Sequence, residues 1–269
     1  PAGRLFLSPR RSHDSPSPAL LFTVTQYLES VLNSRGLTRT LGEIDVCRDE
    51  QGRPCFSAGN SAAVFRIRLG GRIRSLRCYL RPMRHLEEIY GHRLLEKELY
   101  LHTSPETGVW VDTVLGDWIE GSTLHETVAQ AAALRDRESL QILVRLFDRL
   151  ALALVTDDRA HGDLKPENII VGDDGTLCPI DFDASYLPAF AGEISPELGT
   201  AAYQHPARTA ADFDERIDDY PAALISTALH ALAEDPTLWD RYGSSDGLLY
   251  TPQRIASDPA YRETLALFE

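Results

Sequence analysis

His161-Gly-Asp-Leu-Lys-Pro-Glu-Asn168, running into the apolar Ile169-Ile170-Val171, decides how this chain is read. Asp181-Phe182-Asp183 stands ten residues beyond that run and is entered through Leu177-Cys-Pro-Ile180. A carboxylate, Asp163, and an amide, Asn168, lie five apart with the cation Lys165 between them, on a loop that opens into a short strand. Moving a phosphoryl group asks for a base that orients an acceptor hydroxyl, a cation on the moving phosphate and hard oxygen ligands for magnesium. Those residue types occur here in that order.

The block resembles the catalytic loop and metal-binding motif of the eukaryotic-type protein kinases, H-R-D-L-K-x-x-N followed by D-F-G. The resemblance implies an α+β, two-lobed protein-kinase-like fold: a small antiparallel-sheet N-lobe, then a mainly helical and abbreviated C-lobe. It implies ATP and Mg²⁺ as cofactors. Asp163 would orient the acceptor, Lys165 would neutralise the transferred phosphate, and Asn168 and Asp181 would hold the metal. Asp183 takes the place of the motif's glycine, either as a further metal carboxylate or as a solvated side chain. His161 is read as a brace for the loop. Gly162 stands where many of these kinases carry an arginine that grips a phosphorylated segment, so control by such a phosphate is not expected.

Upstream, Ser57-Ala-Gly-Asn-Ser-Ala-Ala-Val64 falls where a kinase has G-x-G-x-x-G-x-V, and only Gly59 and Val64 match. An ordinary β-turn is an equal reading. Gly70-Gly71 reads as a hairpin turn into Ile73-Arg-Ser-Leu-Arg-Cys-Tyr79. There Arg77 replaces the phosphate-binding lysine, with a planar fork in place of a compact ammonium. Charge and spacing suggest a helix over 83–101, and the resemblance gives it a glutamate to pair with the strand cation: Glu96 first, Glu88 second. Residues 110–118 read as two strands around a turn. Asp117-Trp-Ile-Glu-Gly-Ser-Thr-Leu124 resembles the interlobe hinge, with backbone groups at Asp117 to Ile119 meeting the adenine edge.

Further along, residues 140–155 are strongly helical by spacing. Gly199-Thr-Ala-Ala-Tyr-Gln-His-Pro206 is similar to the kinase G-T-x-x-Y-x-x-P-E, with Thr200 aligning the catalytic loop and Ala207 in place of the glutamate. Asp218-Asp-Tyr-Pro221 resembles the opening of the central helix, and residues 222–232 are apolar on most sides, as a buried helix should be. Ahead of the motifs, residues 1–18 are rich in Pro, Ser and Arg and read as extended, and a short helix is expected between Pro18 and Gly36. Residues 37–46 read as a first strand. The expected organisation is therefore an extension over 1–36, an N-lobe over 37–118 and a C-lobe over 119–269.

Composition bounds the alternatives. The 269 residues suffice for a large core, and 43% apolar content is ordinary for a globular chain. A net charge of −13 does not support general nucleic-acid binding, although arginines cluster between Arg53 and Arg93. Lys97 and Lys165 are the two lysines of the chain, and one of them lies in the catalytic-loop motif. Cys47, Cys55, Cys78 and Cys178 show no metal spacing and read as half-buried thiols of a reducing compartment. No apolar run approaches membrane-spanning length, and a cytoplasmic protein is expected. Its activity is read as transfer of the γ-phosphate of ATP to a Ser/Thr hydroxyl of a protein substrate. A pseudokinase that binds nucleotide or a regulatory protein partner without turnover is the alternative, and small-molecule phosphorylation in the manner of aminoglycoside kinases comes third.

Overall fold

In the computed structural model, residues 21–245, 247–258 and 266 are described. The expectation of an extended segment over 1–18 lies outside them. The chain divides into two compact units. One holds the described residues up to Met83 together with Arg93–Gly116, and the other holds Arg84–His92 and the described residues from Asp117 onward.

The first unit begins with helix α1, Val24–Leu32, started by a reciprocal capping box between Thr23 and Gln26. Its strands are β1 (Asp45–Val46), β2 (Phe56–Ala58), β3 (Ala62–Leu69), β4 (Arg72–Tyr79), β5 (Leu94–His102) and β6 (Gly108–Asp117). They form a sheet in the order β1–β3–β4–β6–β5, with β2 also beside β3. Alternation along β3 and β4 sorts the side chains by face. Phe65, Ile67, Leu76 and Cys78 join Leu99, Leu101 and Val111 in a core that Tyr27 and Val31 of α1 complete. The Tyr27 hydroxyl donates to the Tyr79 carbonyl at 2.6 Å, which fixes α1 to the end of β4.

Three readings of residues 37–118 are corrected. The helix expected over 83–101 is confined to α2, Leu86–Tyr90, and a short 3-10 turn over Gly91–Arg93, so Glu96 sits on strand β5 and not on a helix. Gly91 ends α2 with φ +51, and the following leucines pair with β6. A bulge between Leu95 and Leu99, with Lys97 at φ +49, breaks the period-2 pattern. The leucines therefore have a helix-like spacing although they lie on a strand. Residues 110–117 lie in one strand, not two, because the turn lies earlier, over residues 103–107, and residue 118 is past its end. Gly116 admits a close approach rather than a turn, since a Cβ there would lie 2.7 Å from Ser75 Oγ. Of the strand expected over 37–46, only Asp45–Val46 forms as β1. The Glu98 carboxylate instead accepts from the amides of Arg39, Thr40 and Leu41, at 3.1, 2.9 and 2.8 Å, and wraps that segment into a turn.

The second unit contains α2, a three-stranded sheet β7–β8–β9 (Gly121–Thr123, Ile169–Gly172, Leu177–Pro179) and the helices α3 (Leu124–Ala133), α4 (Arg137–Val155), α5 (Asp219–Glu234), α6 (Leu238–Tyr242) and α7 (Pro252–Ser257). Helix α5 carries buried residues around most of its circumference and packs with α4 through Leu140, Leu143, Phe147, Ile225, Leu229 and Leu232. The fold is thus α+β, with an antiparallel sheet in the first part and helices later, as a kinase-like architecture requires. Among the described residues, no helix is long and apolar enough to cross a membrane.

Candidate active site

The small sheet of the second unit positions the motif. Asn168 closes a 3-10 turn led by Pro166 and passes directly into β8, and β9 leads into Asp181. The two are stitched by the Ile180 amide, which donates to the Asn168 carbonyl at 2.9 Å. Residues thirteen apart in sequence thereby become neighbours, because β8 and β9 pair antiparallel at Ile169 and Pro179.

Around Asp163 the side chains interlock. Its Oδ1 accepts from the Thr200 amide at 2.5 Å. Its Oδ2 lies 3.1 Å from Lys165 Nζ and 3.2 Å from Asn168 Nδ2. Lys165 Nζ also donates to Thr200 Oγ1 at 2.8 Å. The Asn168 amide nitrogen additionally reaches the Asp163 carbonyl at 2.9 Å, so the amide oxygen makes neither of these bonds. Charge-assisted bonds of this kind hold a carboxylate in one orientation.

Behind the loop stands Asp218, 1% exposed, a residue to which the sequence assigned no role beyond the opening of a helix. Its carboxylate accepts from the amides of His161 and Gly162 at 2.5 and 3.0 Å. Burial pushes the Asp218 carboxyl up, against those two amides and the charges of His161 and Arg208. His161, also buried, makes a 2.8 Å bond from Nε2 to the Ile180 carbonyl and packs on Phe182, which is a bracing role. Gly162 has φ +82, and a Cβ there would lie 2.0 Å from the Ala184 carbonyl oxygen. Glycine at this position is a steric requirement of the loop.

Asp181 has φ +68, a left-handed conformation uncommon for a side-chain-bearing residue. Asp183 is 3% exposed, and its Oδ1 accepts from the Tyr90 hydroxyl at 2.6 Å, so the solvated alternative for this carboxylate is overturned. That bond secures α2 to the segment after Asp181. His85, which precedes α2, adds a 3.0 Å contact to Glu193 and stacks on Phe190 at 4.3 Å. Glu88 lies on α2, half exposed and 3.8 Å from His85. Asp117 ends β6, and Ile119 lies in the irregular stretch between β6 and β7.

The remaining candidates belong to the first unit. Val64 and Arg77 are directly opposite across β3 and β4, so both side chains face one side of the sheet. The Arg77 guanidinium lies 5.7 Å from the Tyr79 ring centroid. Gly59 sits in the tight turn between β2 and β3, its amide donating to the Ala62 carbonyl at 2.9 Å, with open space where a Cβ would stand. Glu96 is exposed on β5. The oxygens that the sequence reading offers to a divalent cation are the amide oxygen of Asn168 and the carboxylates of Asp181 and Asp183. Hard oxygens of this kind, completed by nucleotide phosphates, fit magnesium. Among the described residues, no cluster of three or more His, Cys, Asp or Glu forms a self-sufficient metal site.

No protein-family profile matches the chain. Its distant relatives are serine/threonine protein kinases. CBL-interacting protein kinase 17 of Oryza sativa subsp. japonica is 25% identical over 173 residues, covering 61% of this chain and 35% of the relative. Serine/threonine-protein kinase PknL of Mycobacterium tuberculosis is 34% identical over 113 residues, 40% of this chain and 27% of the relative. Serine/threonine-protein kinase chk1 of Schizosaccharomyces pombe is 25% identical over 178 residues, 63% of this chain and 35% of the relative. The chain thus spans about a third of the length of these relatives, and they support a kinase-like superfamily.

Proposed function

We propose that the chain is a protein-kinase-like phosphotransferase that moves the γ-phosphate of ATP to a protein Ser/Thr hydroxyl. The observation that carries this reading is the convergence on Asp163 of Lys165, Asn168 and the Thr200 amide, each within 3.2 Å of its carboxylate. An acceptor hydroxyl would bond to Asp163 and give up its proton there as its oxygen bonds to phosphorus, while the bond to ADP breaks. Lys165 would lie against the transferred group and offset its charge. Magnesium, when bound through Asn168 and Asp181, supplies charge neutralisation across the phosphates. Gly59, Val64 and Arg77 are proposed to serve the nucleotide in the first unit, and backbone groups at Asp117 to Ile119 to serve it in the second.

Radiolabel transfer to a general protein acceptor, with Asp163→Asn as the inactive control, tests the reading. Mg·ATP at 100 times its Kd should stabilise the protein by about 2.7 kcal/mol, and Asp181→Ala should remove most of that shift. Arg77, in the place of the family's lysine, favours a second reading as a nucleotide-binding pseudokinase. A magnesium-dependent shift without any transfer would select it. An equal shift in excess chelator would sink the metal assignment.

A further inference from the structure

Gly162 is held from two sides. Its amide, with that of His161, is bound by Asp218, while its carbonyl accepts from Arg208 Nη1 at 3.3 Å. The same Nη1 donates to the Leu198 carbonyl at 3.2 Å and to Gln204 Oε1. Leu198 lies two residues before Thr200, whose amide holds Asp163, and Gly162 lies one before Asp163. One guanidinium therefore joins the two backbone segments whose relative placement sets the Asp163 carboxylate. The join is tight, for a Cβ on Gly199 would stand 2.7 Å from both the Gly162 carbonyl oxygen and Gln204 Nε2.

The setting of Arg208 is unfavourable for a side chain retained for stability alone. Burial pulls its guanidinium below the ordinary value, and the charges of Asp218, Asp163, Asp212 and Asp214 oppose that pull. Nε and Nη2 are buried without an acceptor among the described residues, and Gln204 Nε2 shares that condition. Removing donors from water without pairing them is a cost. Gly162 has no room for a side chain, and the guanidinium on its carbonyl comes from Arg208, 46 positions away.

We propose that Arg208 is a positioning residue for Asp163, clamping the Gly162 carbonyl to Leu198 and so ordering the segment ahead of Thr200 without phosphorylation. The proposal rests on the phosphotransfer reading for its catalytic consequence and on the geometry alone for the clamp. The full chain should be compared with Arg208→Ala, Arg208→Lys and the milder Arg208→Gln, which keeps the backbone requirements of the loop if the alanine variant fails to fold. Hydrogen exchange over residues 159–165 and 198–204 should rise in Arg208→Ala and Arg208→Gln, with other segments unchanged. In transfer assays kcat should fall on the order of 100-fold, as for a displaced catalytic group. The KM for ATP should stay within about twofold, because nucleotide binding is not what is lost. Added guanidinium ion should restore part of kcat in Arg208→Ala. Arg208→Lys should keep part of kcat, because Nη1 alone makes the three bonds and an ammonium nitrogen carries three donors, on a shorter stem. Unchanged exchange in both segments would overturn the clamp, as would full kcat in Arg208→Gln or a defect confined to KM. If the parent transfers no phosphate, the phosphotransfer reading fails while the exchange comparison still decides the clamp.

Discussion

Gly162→Ala should be among the most damaging single-methyl changes in the second unit, and Gly162→Arg, which restores the arginine of the kinase motif, should be no better. Both place a Cβ on a residue at φ +82, where the left-handed conformation costs an L side chain about 1–2 kcal/mol. The larger effect is steric. A Cβ 2.0 Å from the Ala184 carbonyl oxygen and 2.7 Å from its carbon meets backbone, which cannot rotate away. Either the catalytic loop or the segment after Asp181 must move. A displaced loop strains the 3.0 Å bond from the Gly162 amide to Asp218, and bonds to charged groups are worth about 1.5–3 kcal/mol. Together these give a destabilisation of about 3–5 kcal/mol, which for a chain of this size lowers Tm by roughly 10 °C. Differential scanning calorimetry reads the loss directly, and transfer activity should fall with it. Gly59→Ala is the matched control: its φ is not positive and no atom lies within 4 Å of the added Cβ. It should change stability by no more than about 0.5 kcal/mol. A Gly162→Arg variant that melts with the parent would refute the reasoning.

Glu98→Gln should destabilise the first unit by about 2 kcal/mol in urea titration, because an amide donor would then face Thr40, whose hydroxyl and amide now reach Glu98 Oε2 at 2.6 and 3.1 Å. An unchanged midpoint would show that the turn at residues 39–41 does not depend on that carboxylate. Tyr90→Phe removes the 2.6 Å bond to the buried Asp183 and should cost about 1–3 kcal/mol, with faster amide exchange in α2; parental exchange there would count against the tie. Cys78 is 0% exposed and burial pushes its thiol up, so a maleimide should label the half-buried Cys47, Cys55 and Cys178 in the native protein and spare Cys78. Mass spectrometry showing four rapid adducts would contradict that burial.

What was legible in the sequence was local. The catalytic loop declares itself because Asp163, Lys165 and Asn168 lie within six residues, and their bonds to one another need no distant partner beyond Thr200. Helices α4 and α5 were legible because each keeps its apolar spacing over 19 and 16 residues. Strand β5 was not, since its bulge replaces alternation with a spacing that fits a helix and its charged residues add helical propensity, which sheet pairing overrides. The partners of Gly162 were beyond reach because Asp218 and Arg208 lie 56 and 46 positions away. Cys47 and Cys55 show the same limit. Without a recognisable spacing they converge on one β3 residue, Cys47 donating to the Arg66 carbonyl and Arg66 to the Cys55 carbonyl, both at 2.9 Å.

The departures from the kinase pattern in the second unit come with structural partners. Gly162 in place of an arginine is matched by the Ala184 backbone packed where a Cβ would stand and by Arg208 on the Gly162 carbonyl. Asp183 in place of a glycine is matched by Tyr90, whose hydroxyl meets the buried carboxylate. Ala207 in place of a glutamate sits beside Arg208, which engages the Gly162 and Leu198 carbonyls. Gly162 and Asp183 thus each have an answering contact, and Gly162 is the residue next to Asp163. The contacts of Gly162 and Arg208 bear on the placement of the Asp163 carboxylate, and a transfer assay on the parent chain is what separates phosphotransfer from nucleotide binding without turnover.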